Sequence, residues 1–214
     1  MQIIWYGHSC FLIKTRNGKR ILMDPFDNSL GYRNDFPKCD IITMSHSHSA
    51  HSYLNNINYD TKIINSCDSF NCNSIQITGI NTFHDDCNGL KRGNNIIFVF
   101  RIDGLSICHL GDLGDIPSSS VLDKLKNMDV LLIPIGGHFT IDGTKAYKIC
   151  SLIKPKYVIP MHYKTNILKM NIDDCKNFLI NMPLIEKFPT NTLQLNHLDN
   201  TVLLKTILLK CPSL

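Results

Sequence analysis

The sequence predicts an α/β fold whose chemistry gathers at one edge of a β-sheet, and three observations carry that expectation. Short apolar, β-branched runs recur along the chain, and several stop on His or Asp. Two strand–turn–strand units, one around Asn17-Gly18 and one around Asp103-Gly104, each run on to a carboxylate, Asp24 or Asp112. In the second half, helical patterns alternate with fully apolar runs of the kind found in covered sheets.

Taken in order, Ile3 to Tyr6, Cys10 to Thr15 and Lys19 to Met23 form a β-rich opening, with Asn17-Gly18 as a tight hairpin because both residues tolerate positive φ. Asn28 to Pro37 is a polar loop before the buried strand Asp40 to Met44. Thr61 to Asn65 and Ser74 to Thr78 are short strands. Asn95 to Ile102, Asp103-Gly104 and Leu105 to Leu110 then repeat the opening pattern, which would place Asp24 and Asp112 at equivalent strand ends. Ser118 to Lys126 begins with capping serines and spaces Val121, Leu122 and Leu125 as a helix does. Asp129 to Pro134 is a buried strand, Gly143 to Ile153 a helix closed by Pro155, and Lys156 to Pro160 a strand running into Met161-His162-Tyr163. Asn171 to Leu179 reads as a last helix with Asp173 and Asp174 in its first turn, where the dipole favours them. Leu193 to Leu209 supplies the closing strands. No linker, repeat array or low-complexity segment divides the chain, so residues 1–214 are expected to form a single domain.

Composition narrows the function classes. Apolar residues make up 43% and charged residues 19%, which is ordinary for a globular protein and wrong for a disordered one. The net charge of +4 is mild, and without a basic run or interleaved aromatics no dedicated nucleic-acid surface is indicated. The nine cysteines include no CxxC pair, Cys67 and Cys72 coming nearest, so free thiols in a reducing cytosol are expected. Met1 to Trp5 carries no signal-peptide pattern and no run is long enough to span a membrane, so a soluble, cytoplasmic protein is the expectation.

The densest chemistry lies in Met44-Ser45-His46-Ser47-His48-Ser49-Ala50-His51, where a strand stops and the chain turns. Imidazole is the commonest metal ligand, although a Ser-rich polar loop is the bland alternative for this octet taken alone. The same location type recurs at His84, Asp112 and His162, each following an apolar run and flanked by small or turn-forming residues. Strand ends converge at one sheet edge, so four such sites together point to a metal cluster.

These residues, with their neighbours, resemble the metallo-β-lactamase superfamily, in the branch similar to ascorbate-6-phosphate lactonases and N-acyl-phosphatidylethanolamine phospholipases D. The resemblance rests on Gly7-His8-Ser9, Leu22-Met23-Asp24-Pro25-Phe26, His46-x-His48-x-x-His51, Phe83-His84-Asp85, Arg92-Gly93-Asn94, Asp103-Gly104-Leu105, His109-Leu110-Gly111-Asp112-Leu113-Gly114, Pro134-Ile135-Gly136-Gly137 and Pro160-Met161-His162-Tyr163. It implies a four-layer αβ/βα sandwich of two mixed β-sheets with external helices. It also implies two divalent metal ions, Zn or Mn, the first held by His46, His48 and His84, the second by His51 and His162, with Asp112 bridging them as a catalytic ligand. Such a pair acidifies a bridging water to hydroxide, which attacks phosphorus or a carbonyl carbon.

One position departs from the family's His-x-His-x-Asp-His motif: Ala50 stands where the motif has a catalytic, metal-ligating Asp. Either a natural protein has lost or weakened its second metal position, or a single Asp→Ala change has been introduced deliberately. Drift away from catalysis removes several ligands, and every other one is present here, which favours the deliberate change. Arg92, His138 and His8 are candidates for substrate contact, with Lys164 adding positive charge; Asp24 is expected to bond backbone or a ligand His. His109 reads as structural and His197 as a surface residue. The implied function is a binuclear metal hydrolase of weakened activity acting on a phosphodiester of a small, anionic, nucleotide-like or phosphorylated substrate. The alternatives are a lactonase of a sugar-phosphate-like lactone and a non-catalytic nucleotide- or metabolite-binding protein.

Overall fold

The computed structural model describes residues 1–55, 60–196, 199 and 201–212; His197 lies outside them. In chain order the strands are β1 (Gln2–Gly7), β2 (Cys10–Lys14), β3 (Arg20–Met23), β4 (Ile41–Thr43), β5 (Lys62–Ile64), β6 (Ser69–Cys72) and β7 (Ile75–Phe83). They continue as β8 (Asn94–Ile102), β9 (Leu105–His109), β10 (Val130–Pro134), β11 (Tyr157–Met161), β12 (Leu184–Lys187), β13 (Thr192–Gln194) and β14 (Lys205–Leu208). The helices are α1 (Ser119–Lys124), α2 (Gly143–Ile153) and α3 (Lys176–Leu179). One mixed sheet has the order β13-β1-β2-β3-β4-β5, and the other β12-β14-β11-β10-β9-β8-β7-β6. This is the two-sheet α/β architecture the sequence led us to expect.

The sheets share one core because their facing residues alternate correctly. Ile3 and Trp5 on β1, Phe11 and Ile13 on β2, and Ile21 and Met23 on β3 join Phe98 and Phe100 of β8 in a single buried cluster. The intervening residues Leu12, Leu22 and Ile42 face the other way, onto Phe26, Leu30, Tyr32 and Leu168. That side is covered by segments 24–39 and 164–172, including a 3₁₀ turn at Asn28–Leu30, so β2 to β4 are apolar on both faces. Beside the second sheet, α2 buries Ala146, Ile149, Cys150 and Ile153, and its N-cap Asp142 accepts from the Lys145 N–H.

The two halves repeat one order: antiparallel β1-β2-β3 leads into parallel β3-β4-β5, and antiparallel β7-β8-β9 into parallel β9-β10-β11. Register nevertheless separates Asp24 from Asp112. After Met23 pairs with Thr43, the Asp24 N–H donates to Thr43 O, just as the Leu110 N–H donates to Leu132 O after His109. Asp24 therefore matches Leu110, and Asp112 lies two residues further along.

Several local expectations shift. The Asn17-Gly18 hairpin is wider than a two-residue turn: the Thr15 N–H donates to Lys19 O, and only Gly18 takes positive φ (+85°). Asp103 and Gly104 do form the tight turn, both with positive φ. Strands β6 and β12 are additional: β6 is a four-residue alternation too short to stand out, and β12 is exposed along its whole length. The last helix begins only at Lys176, so Asp173 and Asp174 precede it. Here tertiary bonds override helical pattern: Asp173 N–H donates to Gly136 O and Asp173 O accepts from Lys164 N–H, each at 2.8 Å. All nine cysteines are unpaired. Among the described residues no helix is long and apolar enough to cross a membrane.

Candidate metal centre

Buried carboxylates at strand ends organise the histidines. Asp24 follows β3 in a left-handed conformation (φ +47°), and its carboxylate accepts from the Ser45 N–H at 2.7 Å and the Ser45 hydroxyl at 2.6 Å. This ties the end of β3 to the turn after β4. His51 Nδ1 donates to Asp24 Oδ2 at 2.9 Å. Because a carboxylate only accepts, the Nδ1 proton is fixed and Nε2 is the nitrogen turned inward, toward Asp112. A parallel relay reaches His46: Ser45 gives its proton to Asp24, so its oxygen can accept from His46 Nδ1 at 2.9 Å. His46 Nε2 is left buried with no partner.

Asp112 is placed by the other half of the fold. Gly111 takes φ +57°, and the Asp112 N–H donates to Asn95 Oδ1 at 2.8 Å. Asn95 is itself pinned, donating to Thr82 Oγ1 and Leu110 O. With Ser9 Oγ at 3.3 Å from Oδ1, the second oxygen, Oδ2, meets three imidazoles. His51, His162 and His84 Nε2 lie 3.1, 3.3 and 3.4 Å from it.

His84 follows β7, where the Asp85 carboxylate accepts the N–H groups of Cys87, Gly89, Lys91 and Arg92 and so folds the next loop. Gly114 closes over this corner; a Cβ there would lie 2.2 Å from the Asp85 nitrogen, so no other residue fits. His162 follows β11 at φ +50°, its N–H donating to His8 O.

The electrostatics follow from burial and proximity. Burial alone would lower the His51 pKa, but Asp112 and Asp24 push it up to about 10. Burial would raise Asp112, yet His162 and His51 hold it well below the usual carboxylate range. His46 falls to about 3, chiefly through burial and then through the charge on His51. The cluster is thus a compact acid–base assembly in which a charged His51 sits between the Asp24 and Asp112 carboxylates.

The structure brings His46, His51, His84, Asp112 and His162 together. His48 is exposed and lines the cavity wall, its ring stacked 6.2 Å from that of His46, outside the close groups His46/His51/Asp112 and His8/His51/His162. Ala50 is buried and lines the same cavity of about 940 Å³. Arg92 also lines it, donating to His138 O at 3.1 Å with its guanidinium 5.6 Å from the Phe139 ring centre.

Two expectations are corrected. The His138 ring turns toward Asp173, 4.0 Å away, and Phe139 takes the lining position instead, because His138 sits in a left-handed turn (φ +54°). Lys164 is used up by Leu168 O and Met170 O, at 2.7 and 2.6 Å, fastening its own loop. His8 lines the cavity, deep in it: it is 1% exposed and packs edge-on against His162 and His51, with ring centres 4.2 and 4.9 Å apart. His109 is structural, as read from its strand phase, bonding Ser9 O and accepting from the Gly111 N–H. Asn95 and Ser45 escaped the sequence reading; a fully buried amide heading the apolar run of β8 was the available signal for Asn95.

Residues 2–162 match the family described as Beta-lactamase superfamily domain. The chain belongs to the metallo-β-lactamase superfamily. Within it, the chain falls in the UPF0173 group. A Thermoplasma acidophilum protein named UPF0173 metal-dependent hydrolase is 31% identical over 191 residues, covering 77% of this chain and 84% of its own. A Carboxydothermus hydrogenoformans protein of the same name is 29% identical over 194 residues, covering 77% and 85%. Among solved superfamily structures, a candidate Zn-dependent hydrolase from Thermotoga maritima is 34% identical, with a TM-score of 0.79 and coverage of 98% and 99%.

Proposed function

We propose that this chain is a hydrolase that uses two divalent metal ions, Zn or Mn, to cleave a phosphodiester of a small nucleotide-like or phosphorylated substrate, and that Ala50 weakens its turnover. The observation that carries the reading is the meeting of His51, His162 and His84 Nε2 on one oxygen of Asp112, at 3.1, 3.3 and 3.4 Å. Buried His46 Nε2, His84 Nδ1 and His162 Nδ1 have no hydrogen-bond partner among the described residues, so the donor set fits cations. His46, His48 and His84 would hold one ion and His51 and His162 the other, with Asp112 between. Divalent metal there supplies an acidified water and positive charge for the oxyanion that develops.

The chain's own residues do the rest. Asp24 fixes the tautomer of His51 directly and that of His46 through Ser45. Asn95 fixes the loop that aims Asp112. Arg92, braced by His138 O and Phe139, presents a guanidinium to the cavity, where an anionic phosphate can take two hydrogen bonds. Nine unpaired cysteines support a reducing, cytoplasmic setting. The likeness to lactonases and phospholipases D remains a reading of the motifs, with lactone hydrolysis the alternative reaction. A second reading, a non-catalytic metabolite-binding protein, is favoured by Ala50 alone, since a buried methyl stands where the motif needs a carboxylate.

The test is turnover of a phosphodiester panel and a lactone panel, with and without added Zn or Mn. Metal-dependent phosphodiester cleavage is expected. Cleavage of lactones alone would shift the substrate class, and tight ligand binding without turnover of either would support the binding protein.

A further inference from the structure

We propose that His8 completes the metal position that Ala50 leaves short, adding a third imidazole to His51 and His162 beside Asp112, a nitrogen-rich set that favours Zn²⁺ over Mn²⁺. The inference rests on the metal reading of the site and goes beyond it, since the family motif assigns that position a carboxylate and gives His8 no such role.

Four observations carry it. One ligand atom from each of His8, His51 and His162 lies within 4.8 Å of the other two, all three side chains being buried. His8 has poor alternatives: among the described residues Nδ1 reaches only the Ser9 hydroxyl at 3.3 Å, and Nε2 only the Met170 thioether at 3.4 Å, a weak acceptor. A fully buried imidazole so weakly partnered calls for an explanation, and a cation supplies one. His162 Nδ1, also buried, has no partner.

The backbone holds His8 and His162 as a pair. Both residues take φ +50°, and the His8 carbonyl accepts from the His162 N–H at 3.2 Å and from the Trp5 indole at 3.0 Å. Trp5 in turn stacks on Tyr163, with ring centres 5.5 Å apart. The trio is therefore preorganised by β1 and β11 without position 50. Its chemistry differs from that of the motif set: an imidazole replaces a carboxylate oxygen, and nitrogen-rich sites suit Zn²⁺, whereas Mn²⁺ prefers oxygen.

Metal uptake by the purified, metal-stripped full chain tests this without reference to activity. Competition against a chelator, followed by elemental analysis, should give two tightly held Zn²⁺ per chain but only one comparably held Mn²⁺. His8→Asn, chosen because Asn tolerates the left-handed backbone, should weaken the second Zn²⁺ by at least about tenfold and leave the first in place. Ala50→Asp should restore a second Mn²⁺. Two equally tight Mn²⁺ in the unaltered chain would overturn the inference, a measurement that stands even if the His8 variant fails to fold. So would an unchanged second Zn²⁺ in His8→Asn, or a single Zn²⁺ in the unaltered chain. No Zn²⁺ uptake at all would instead overturn the metal reading on which it rests.

Discussion

Asp24 and His51 form a buried pair, with Oδ2 accepting from Nδ1 at 2.9 Å, and neither side chain is more than 1% exposed. The bond holds Nδ1 on Asp24 and so decides that Nε2 is the His51 nitrogen that faces Asp112. It also decides where His51 points, because Asp24 is itself locked by two donors from Ser45.

Asp24→Asn should therefore separate positioning from folding. Asn tolerates the left-handed backbone at this position (φ +47°), so the fold is expected to survive. An amide is a poorer and less directional partner for His51 and Ser45, and metal affinity should fall by roughly 10- to 100-fold. Chelator competition on the variant measures this; unaltered affinity would show that His51 orients itself without Asp24.

Arg92 is exposed, and its protein partners are a carbonyl and a ring face rather than a carboxylate. Arg92→Ala should leave the melting temperature nearly unchanged. A hydrogen bond to a charged group contributes about 1.5–3 kcal/mol, so binding of a phosphate-bearing ligand should weaken by roughly 10- to 100-fold. Calorimetric titration paired with a thermal melt checks both halves. A large fall in melting temperature with unchanged binding would recast Arg92 as a structural brace.

Acid sensitivity is expected away from the site. Asp129 accepts from Lys156 Nζ at 2.7 Å and from the Ser106 N–H and hydroxyl at 2.8 and 2.9 Å. Burial alone would raise its pKa, but these partners hold it below its ordinary value of 3.8. A folded-state pKa below the unfolded one contributes stability above the unfolded value and loses it as pH falls through the folded value. Asp129→Asn should thus lower the urea midpoint at pH 7, and the gap from the unaltered chain should close as pH drops below about 4. A gap independent of pH would mean that shape, not charge, makes the contribution.

Much of this arrangement is legible in the sequence. The strand ends at Asp112 and His162 could be read because each follows a clear apolar run, and α2 because a clear helical pattern is closed by Pro155. Where tertiary bonds override local pattern, the reading slipped. The backbone of Asp173 is drawn to Gly136 and Lys164 instead of into a helix, and the His138 side chain follows a turn that its neighbours do not announce. Lys164 could not be read at all, since the carbonyls that bind it lie in its own loop. Asn95 shows the same limit: a single polar residue at a strand end signals little until the opposing strands are placed.

The central claim is that an enzyme's site is present and short of one carboxylate at position 50. It is tested most directly by comparing kcat for the unaltered chain and Ala50→Asp on the same phosphodiester, each at saturating Zn or Mn. Ala50 leaves room in the cavity, and an Asp there restores an oxygen ligand and a proton acceptor beside the reacting water. Losing one preorganised electrostatic group typically costs about 10²–10³ in rate, so Ala50→Asp should raise kcat by at least roughly that factor. Equal rates, or no turnover of any phosphodiester by either form, would contradict the account.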